Sequence, residues 1–395
     1  MNPAVIVSAV RSPIGTAFKG SLRNVPAQSL AATILRAAVD RSGLDGSDID
    51  DVIFAESAYG GGDLARYAAV ELGMIQVPGQ AVNRHCAGSL TAIGNAAASV
   101  MSGMTGAVVA GGVHSFSTAP TMTWKRLDGT QWQGMAPTFP YRADADDDVT
   151  LSTGFNVAER FGLSRMQMDA WALRSHQRAV KAIDSGTFDA EIIEVDLGKG
   201  TMFSVDEHPR RTTTAEKLAA LPPLHPEIEG FSVTAGNSSG LNDGASALVV
   251  TSEDLAQSRG LRPLAHVRGW SAVGVDPKFT GVAAIDAIEA VLGRAKLRTS
   301  DIDLWEINEA FAAVPLAACQ ALGLNDELVN VSGSGCSLGH PVAASGGRMV
   351  VSLVHELHRR GGGRAVAAMC AGGGQGGAVL IEVPRAQTPL CPQLP

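Results

Sequence analysis

The sequence runs through one succession of segments twice, and this repeat constrains the fold more than any other feature. In the first copy, residues 30–56, apolar residues at helical spacing precede the tetrapeptide Ser-Asp-Ile-Asp and a short apolar strand. In the second copy, residues 285–309, another helical segment precedes the same tetrapeptide and another short strand. Helices that alternate with strands at this spacing are typical of layered α/β domains.

The repeat continues further along the chain. Cys86 is followed by a helix of small residues and a strand over 107–112, and His340 is followed by a helix and a strand over 365–370. Because the order of helix, strand, polar turn, helix, strand and glycines occurs twice, chance is a poor explanation. We therefore predict a duplicated α/β fold with two similar layered αβα halves.

Domain boundaries follow from the repeat. The N-terminal half is expected over 1–117 together with 241–262, and the C-terminal half over 263–384. Between them, residues 118–240 read as an insertion that folds over the halves. The Pro-rich end, 385–395, is expected to be a loose tail.

The insertion and the tail carry three further features. Residues 166–185 predict a helix, and residues 144–148 form a charged run. Cys391, in the tail, has no evident role.

Composition narrows the function classes. The chain has 395 residues, more than one hydrophobic core usually holds, and its 45% hydrophobic and 18% charged residues are typical of a globular protein. A net charge of −8 argues against a nucleic-acid partner.

We expect no membrane span, because no apolar run reaches about 18 residues, and no cleaved leader before the strand-like residues 4–10. Five cysteines without metal-ligand spacing indicate reduced thiols, no metal site and a cytoplasmic location.

Cys86 is the first candidate for chemistry. It directly precedes a helix of Ala, Gly and Ser residues. The N–H groups and positive dipole end of such a helix lower the pKa of a thiol and favour the thiolate. The alternative is a buried structural cysteine, which is the commoner case for a lone Cys.

Three other motifs bear groups that complement a thiolate. His340, in Gly-His-Pro, is a natural base, although a loop histidine is more often a surface residue. Cys370 ends an apolar strand and opens a glycine run whose N–H groups suit an oxyanion; the alternatives are a plain turn or, more weakly, a dinucleotide site. Asn308 follows a strand and either caps the next helix or orients a water or a carbonyl.

The duplication brings these motifs together. Motifs at equivalent places in two α/β halves meet at the strand ends, where ligands bind. A nucleophilic cysteine, a histidine, a second cysteine and an asparagine at one such place predict acyl-transfer chemistry.

With these motifs in this order, the sequence resembles the thiolase family of acetyl-CoA acetyltransferases and 3-ketoacyl-CoA thiolases. The resemblance runs from the opening segment 5–15 to Gly376, and includes the segment 233–245 together with the Asn-Glu-Ala-Phe, Gly-His-Pro and Cys-x-Gly-Gly-Gly-x-Gly motifs. It implies a five-layer αβαβα fold in which the insertion is a loop domain that contacts CoA.

The resemblance also implies roles for the site residues. Cys86 would be acylated, His340 would take its proton and help to bind an oxyanion, and Cys370 would be the acid and base at the acetyl α-carbon. Asn308 would hold a water in a first oxyanion hole with His340. The N–H groups of Cys86 and Gly372 would form a second hole, and we expect a Cys370 pKa near neutrality.

Coenzyme A is the substrate that the resemblance implies, with no tightly bound cofactor. Ser239 and the loop of Arg210 would contact CoA, with Arg210 near a phosphate or the adenine. The expected assembly is a homodimer or a homotetramer.

The sequence departs from the family pattern near the acyl site. His114 stands where the family has Glu, Phe116 where it has Met, and Ala343 where it has Gly after His340. A His-Met-Gly segment that lines the acyl pocket in many relatives is replaced at 152–156. We therefore hypothesise an altered, larger acyl pocket than that of acetoacetyl-CoA enzymes.

Two competing interpretations remain at this stage. A ketoacyl synthase has the same duplicated fold, but such enzymes typically have His at the position of Asn308 and lack the second Cys. Asn308 and Cys370 therefore argue against this interpretation. A non-enzymatic acyl-CoA-binding or scaffold protein is the other, and the intact set of four residues argues against it.

Overall fold

The part of the chain described below has a few gaps. The computed structural model describes residues 2–57, 59, 62–134, 138–139 and 148–385. The charged run 144–148, except for Asp148, and the tail with Cys391 lie outside the described residues, as do the predictions made for them.

Fourteen strands and eleven helices make up the described chain. The strands are β1 (Ala4–Arg11), β2 (Gly15–Thr16), β3 (Asp51–Ala55), β4 (Gly79–Val82), β5 (Ala107–His114), β6 (Thr123–Lys125), β7 (Gln131–Gln133), β8 (Val195–Asp196), β9 (Met202–Phe203), β10 (Asn242–Ser252), β11 (Ala265–Gly274), β12 (Leu304–Ile307), β13 (Gly363–Ala371) and β14 (Gln375–Val383). The helices are α1 (Ala27–Ser42), α2 (Leu64–Glu71), α3 (Gly88–Ser102), α4 (Asn156–Phe161), α5 (Arg165–Asp184), α6 (Ala215–Ala219), α7 (Glu253–Ser258), α8 (Ala283–Ala295), α9 (Ala313–Leu322), α10 (Gly335–Leu338) and α11 (Ser345–Arg359).

The central sheet contains the same strand pattern twice. Its order is β12-β13-β14-β11-β1-β10-β5-β3-β4, with β2 paired to β10. From β1 outward, two antiparallel pairings lead to β5 and a parallel pairing leads to β3. From β11 outward, two antiparallel pairings lead to β13 and a parallel pairing leads to β12. The predicted duplication is confirmed.

Helices fill three layers around the two halves of the sheet. Helices α3 and α11 pack against each other between the halves, and their side chains share one core with strands of both. Helices α1 and α2 cover the outer face of the first half, and α8 and α9 cover the outer face of the second. This arrangement is the five-layer fold that the resemblance implies.

A buried ion cluster joins β1 to two acidic residues much later in the chain. The guanidinium of Arg11, at the end of β1, donates from Nε to Glu191 at 2.6 Å and from Nη1 to Asp206 at 2.8 Å, and all three side chains are fully buried. The predicted helix over 166–185 is confirmed as α5, which begins after a capping box between Ser164 and Gln167. In the described ranges, every helix is too short or too polar to traverse a lipid bilayer.

Candidate functional site

The nucleophile segment stands at the N-terminus of the central helix α3. Cys86 lies in a 3-10 turn, His85–Ala87, and α3 starts at Gly88. A Cβ on Gly88 would come within 2.7 Å of the Ala55 Cβ, so only glycine allows this close approach to β3. The His85 backbone has φ of 45°, a sparsely populated conformation directly before Cys86.

Cys86 keeps partial solvent exposure, and two N–H groups approach its sulfur. The backbone N–H groups of Gly372 and of Cys86 itself interact with Sγ and lower the thiol pKa, but burial outweighs them and raises the pKa of Cys86 to about 11. The expectation of a lowered pKa is therefore wrong for this resting site. A thiol of this kind needs a base before it can attack.

His340 is the candidate for that base, and its hydrogen bond to Ser345 fixes its tautomer. The Ser345 hydroxyl donates to the Pro341 carbonyl at 3.0 Å, so its oxygen accepts from His340 Nδ1–H, at 2.6 Å. This tautomer leaves the Nε2 lone pair of His340 free to accept a proton. Burial, and secondarily the nearby His114 and Arg348, lower the pKa of His340 to about 3, which keeps the ring neutral at pH 7.

Asn308 follows β12 directly and contacts His340. Its backbone N–H donates to the Ala368 carbonyl at 3.0 Å, and its Nδ2 lies 3.5 Å from His340 Nε2. Its Oδ1 is buried and has no hydrogen-bond partner among the residues that the structure describes. The alternative that Asn308 caps a helix is wrong, because α9 begins only at Ala313.

Glu309 was not singled out from the sequence, yet its contacts hold the loop 308–312 between β12 and α9, here named the Asn308 loop. Its carboxylate is buried and accepts four hydrogen bonds, from Trp171 Nε1 at 2.8 Å, Ser175 Oγ at 2.6 Å, Asn330 Nδ2 at 2.9 Å and Cys336 N at 3.1 Å. The signal in the sequence was an acidic residue two positions after an apolar strand, in the otherwise uncharged run Ile307-Asn308-Glu309-Ala310-Phe311. Such a carboxylate is expected to be buried only with several donors.

Cys370 lies beside Cys86, near the end of β13. The side chain is buried, and burial together with the neighbouring Cys86 raises the Cys370 pKa well above its usual range. The expected near-neutral pKa is therefore wrong for the resting site. The following glycine turn leads into β14, and Gly373 and Gly374 have φ of 78° and 71°, which only glycine adopts readily.

Ser239 lies next to the Asn308 loop, whereas Arg210 lies in a separate cleft. The Ser239 backbone N–H donates to the Ala310 carbonyl at 2.9 Å, next to the Asn308 loop. Arg210 is exposed; its backbone N–H donates to His176 Nδ1 at 3.1 Å, and it lines a cleft of about 500 Å³ against α5. None of the residues proposed for catalysis lines that cleft.

The altered segment 152–156 packs under the Asn308 loop. It forms a π-helix, Thr150–Phe155, and the Phe155 ring stacks on Phe231 with centroids 4.8 Å apart. Phe311 belongs to the same apolar cluster. The segment therefore forms part of the wall next to the Asn308 loop and Ser239.

Four histidines of the described chain are buried. They are His114, His176, His208 and His340. Burial is the largest cause that lowers the pKa of each, to about 4 for the first three and about 3 for the last.

The fold thus brings Cys86, Cys370 and Gly372 together, and it places Asn308 against His340. A thiol with backbone N–H groups aimed at its sulfur, in a fold that also holds a neutral imidazole, is typical of enzymes that carry an acyl group on cysteine. In the described ranges, no group of three or more His, Cys, Asp or Glu side chains is arranged to hold a metal ion. The class that these groups indicate is an acyltransferase.

Comparison with known proteins identifies the family. The N-terminal domain of thiolase matches residues 4–254, and the C-terminal domain of thiolase matches residues 261–383. The acetyl-CoA acetyltransferase of Escherichia coli strain K12 is 39% identical over 97% of this chain and 99% of its own. The beta-ketoadipyl-CoA thiolase of Pseudomonas aeruginosa is 41% identical over 95% of this chain and 98% of its own.

Solved structures agree with these matches. The acetyl-CoA acetyltransferase of Bacillus anthracis superposes with a TM-score of 0.89, at 41% identity over 97% of this chain and 99% of that chain. Human mitochondrial 3-ketoacyl-CoA thiolase superposes with a TM-score of 0.87, at 34% identity over 96% and 98%. The chain belongs to the thiolase family, and it is an acyltransferase of the acetyl-CoA acetyltransferase and thiolase type.

Proposed function

We propose that this enzyme uses CoA to cleave a 3-ketoacyl-CoA into acetyl-CoA and a shortened acyl-CoA, with the acyl group carried on Cys86. Thiolysis is usually downhill, so cleavage is the default direction and Claisen condensation is the reverse. One observation carries the proposal: the Gly372 N–H points at Cys86 Sγ while the Cys370 thiol lies next to the same sulfur. Two thiols so placed serve two carbon atoms of one substrate.

The first step is attack at the ketone. His340 Nε2 accepts the proton of Cys86, and the sulfur bonds to C3 of the substrate. The resting thiol has a pKa of about 11, so proton transfer and attack are expected to occur together. The oxyanion formed at C3 is stabilised by donors already in place, such as N–H groups of the Cys86 and Gly372 backbone.

The second step breaks the bond between C2 and C3. Its electron pair passes to the acetyl-CoA enolate, whose oxygen lies near Asn308 Nδ2 and protonated His340. Cys370 gives its proton to C2 and becomes a thiolate. Its raised resting pKa suits a proton donor to carbon, since the thiol stays protonated until the enolate forms.

The third step returns the enzyme to its starting state. An incoming CoA thiol gives its proton to the Cys370 thiolate and attacks the acyl carbon on Cys86. When the tetrahedral intermediate collapses, the sulfur of Cys86 leaves and takes back the proton held on His340. The cycle is of the ping-pong type, because acetyl-CoA leaves while the shortened acyl group is still on Cys86 and CoA binds only afterwards.

For the substrate, we favour acyl chains larger than the one in acetoacetyl-CoA. The rewritten segment 152–156 and the names of two relatives, a beta-ketoadipyl-CoA thiolase and a 3-ketoacyl-CoA thiolase, support this choice. CoA would run past Ser239, and its nucleotide would reach the loop of Arg210. The insertion 118–240 would then be the loop domain that holds CoA between the two halves.

A homodimer is the assembly that the sheet edge supports. Strand β4 ends the sheet, and its Gln80 and Ala81 are exposed. An exposed edge strand offers backbone groups to a second copy of the chain. This strand leads directly into Cys86, so such pairing would support the nucleophile. A reducing compartment such as the cytoplasm suits both catalytic thiols.

A thiolysis panel tests the proposed function. Purified protein and CoA are mixed with 3-ketoacyl-CoAs from acetoacetyl to long and ring-bearing chains, and loss of the ketoacyl-CoA absorbance is followed. Cys86→Ala and Cys370→Ala are expected to abolish turnover, whereas Cys319→Ala, on α9, removes a cysteine outside the site and retains it. Turnover that survives Cys86→Ala, or none with any chain, would refute the proposal. Best activity on acetoacetyl-CoA alone would contradict the larger pocket.

A further inference from the structure

One polar pair beside the site has no part in the proposed mechanism. His114 ends β5, and its Nδ1 lies 3.3 Å from the hydroxyl oxygen of Ser57, just beyond the end of β3. The two strands are parallel, and Ala55 pairs with Gly112. Ser57 and His114 each lie two residues further along, so their side chains share the face of that earlier pair.

The position of the earlier pair is fixed by two close approaches. A Cβ on Gly88 would lie 2.7 Å from the Ala55 Cβ, and a Cβ on Gly112 would overlap the Ala343 carbonyl oxygen. The face that Ala55 and Gly112 share therefore looks toward the nucleophile segment on one side and toward the segment after His340 on the other.

The Ser57–His114 pair lies next along this face. Two strand residues span roughly 6.6 Å, so the pair stands one step further toward the carboxyl ends of the strands, where Cys86 also lies. His114 is close enough to His340 to influence its ionisation. The pair therefore lies close to His340, on the face of the sheet that looks toward the nucleophile segment.

His114 has an unused hydrogen-bonding atom. The side chain is only 2% exposed, and Phe116 packs edge-on against its ring with centroids 4.3 Å apart. Its Nε2 has no hydrogen-bond partner within the ranges that the structure describes. Buried polar atoms are nearly always paired, so an orphaned ring nitrogen at a ligand site indicates a partner that arrives with the ligand. Burial lowers the pKa of His114 to about 4, so the ring that meets a ligand is neutral.

We propose that His114 determines specificity, with its Nε2 forming a hydrogen bond to a hydroxyl or keto oxygen on the acyl chain of the substrate, beyond C3. The inference rests on the proposed thiolase function and narrows it to oxygen-bearing 3-ketoacyl-CoAs. A neutral imidazole suits such an oxygen because Ser57 can donate to Nδ1 and leave Nε2–H as the donor. An unsubstituted chain would bury the same nitrogen without a partner, which lowers its transition-state binding.

The test compares 3-ketoacyl-CoAs of equal length, unsubstituted or with one hydroxyl or keto group at successive carbons beyond C3. The readout is the ratio of kcat/KM for the substituted and plain chains. At the best position, the wild-type protein is expected to favour the oxygenated chain by about tenfold or more, the size typical of one buried hydrogen bond. His114→Phe should bring this ratio near one, and His114→Gln, which keeps a donor, should retain part of it.

His266→Gln is the matched control. His266, on β11, also has one ring nitrogen that is hydrogen-bonded, to Glu253 at 3.4 Å, and a second that is buried without a partner in the described chain. The ratio of kcat/KM values should stay at its wild-type value in this variant. Wild-type protein that cleaves plain chains but prefers no oxygenated chain overturns the role of His114 alone; a ratio unchanged in His114→Phe does the same. Absence of cleavage of every chain refutes the thiolase proposal on which the inference rests. The comparison of substrates on the wild-type protein tests the proposal even if a variant fails to fold.

Discussion

The replacement Glu309→Gln tests how the fold holds Asn308 in place. Two donors, from Trp171 and Asn330, share one carboxylate oxygen of Glu309, and Ser175 and Cys336 share the other. Glutamine has the same shape, but its NH₂ group must face one of these pairs of donors. The less costly orientation faces Ser175, whose hydroxyl can turn to accept, and leaves the Cys336 N–H unpaired.

The expected loss of stability follows from the number of donors that glutamine leaves without an acceptor. One orphaned buried N–H costs about 1–3 kcal/mol, and charge-assisted bonds to the remaining oxygen become weaker, so we expect roughly 2–4 kcal/mol of lost stability. The neighbouring Asn308 is held by the same loop. A shift of about 1 Å in a positioned group can cost up to about a hundredfold, so kcat should fall about tenfold to a hundredfold with little change in KM.

Equilibrium unfolding in urea and steady-state thiolysis are the assays. Glu327→Gln is the control, because Glu327 is exposed and its ion pairs with Arg174 and Arg178 are expected to contribute less than about 1 kcal/mol. A Glu309→Gln protein within about 0.5 kcal/mol of wild type, with unchanged kcat, would refute this account of the loop.

Three further predictions concern charge and protonation. Arg11→Met leaves Glu191 and Asp206 as unpaired buried carboxylates, so urea unfolding should show a loss of about 3–5 kcal/mol in the free energy of unfolding. Arg385→Met, at an exposed ion pair, should cost less than about 1 kcal/mol, and equal losses in the two variants would contradict this expectation. Because the pKa of Cys86 is about 11, its alkylation by iodoacetamide, followed by peptide mass spectrometry, should accelerate about tenfold per pH unit from pH 7 to 9; a plateau below pH 8 would disprove the raised pKa. The four buried histidines have folded pKa values of about 3 to 4, below the ordinary 6.5, so the unfolded chain binds more protons between these values. Stability is then complete above about pH 6.5 and is lost toward pH 4, and unfolding midpoints that stay constant from pH 7 to 5 would contradict it.

Much of the fold could be predicted because its causes are local. The periodic apolar residues and the repeated Ser-Asp-Ile-Asp turn predicted the strands that became β3 and β12, in the order observed. The helix predicted over 166–185 differs from α5 by one residue at each end. The duplication also led us to expect Cys86 and His340 near each other, since equivalent loops of two such halves meet at strand ends.

The protonation states could not be predicted, because they depend on burial by distant segments. The position of Cys86 before a helix indicated a lowered pKa, but β13 of the other half lies against its turn and removes water from the thiol. The partners of Glu309 come from α5, α10 and the segment before α10, and nothing in the local sequence connects these segments.

Separation of the two half-reactions tests the central claim most directly. Cys370→Ala protein is incubated with acetyl-CoA, acetylation of Cys86 is measured by mass spectrometry, and thiolysis of the best 3-ketoacyl-CoA is measured on the same sample. Cys86 is expected to be acetylated still, because CoA can leave acetyl-CoA as a thiolate without the proton that Cys370 otherwise exchanges with it. Thiolysis is expected to fall by about three orders of magnitude or more, because the acetyl-CoA enolate then lacks its proton donor at C2. Retained thiolysis, or acetylation found at Cys370 in the wild type rather than at Cys86, would contradict the assignment of the two cysteines.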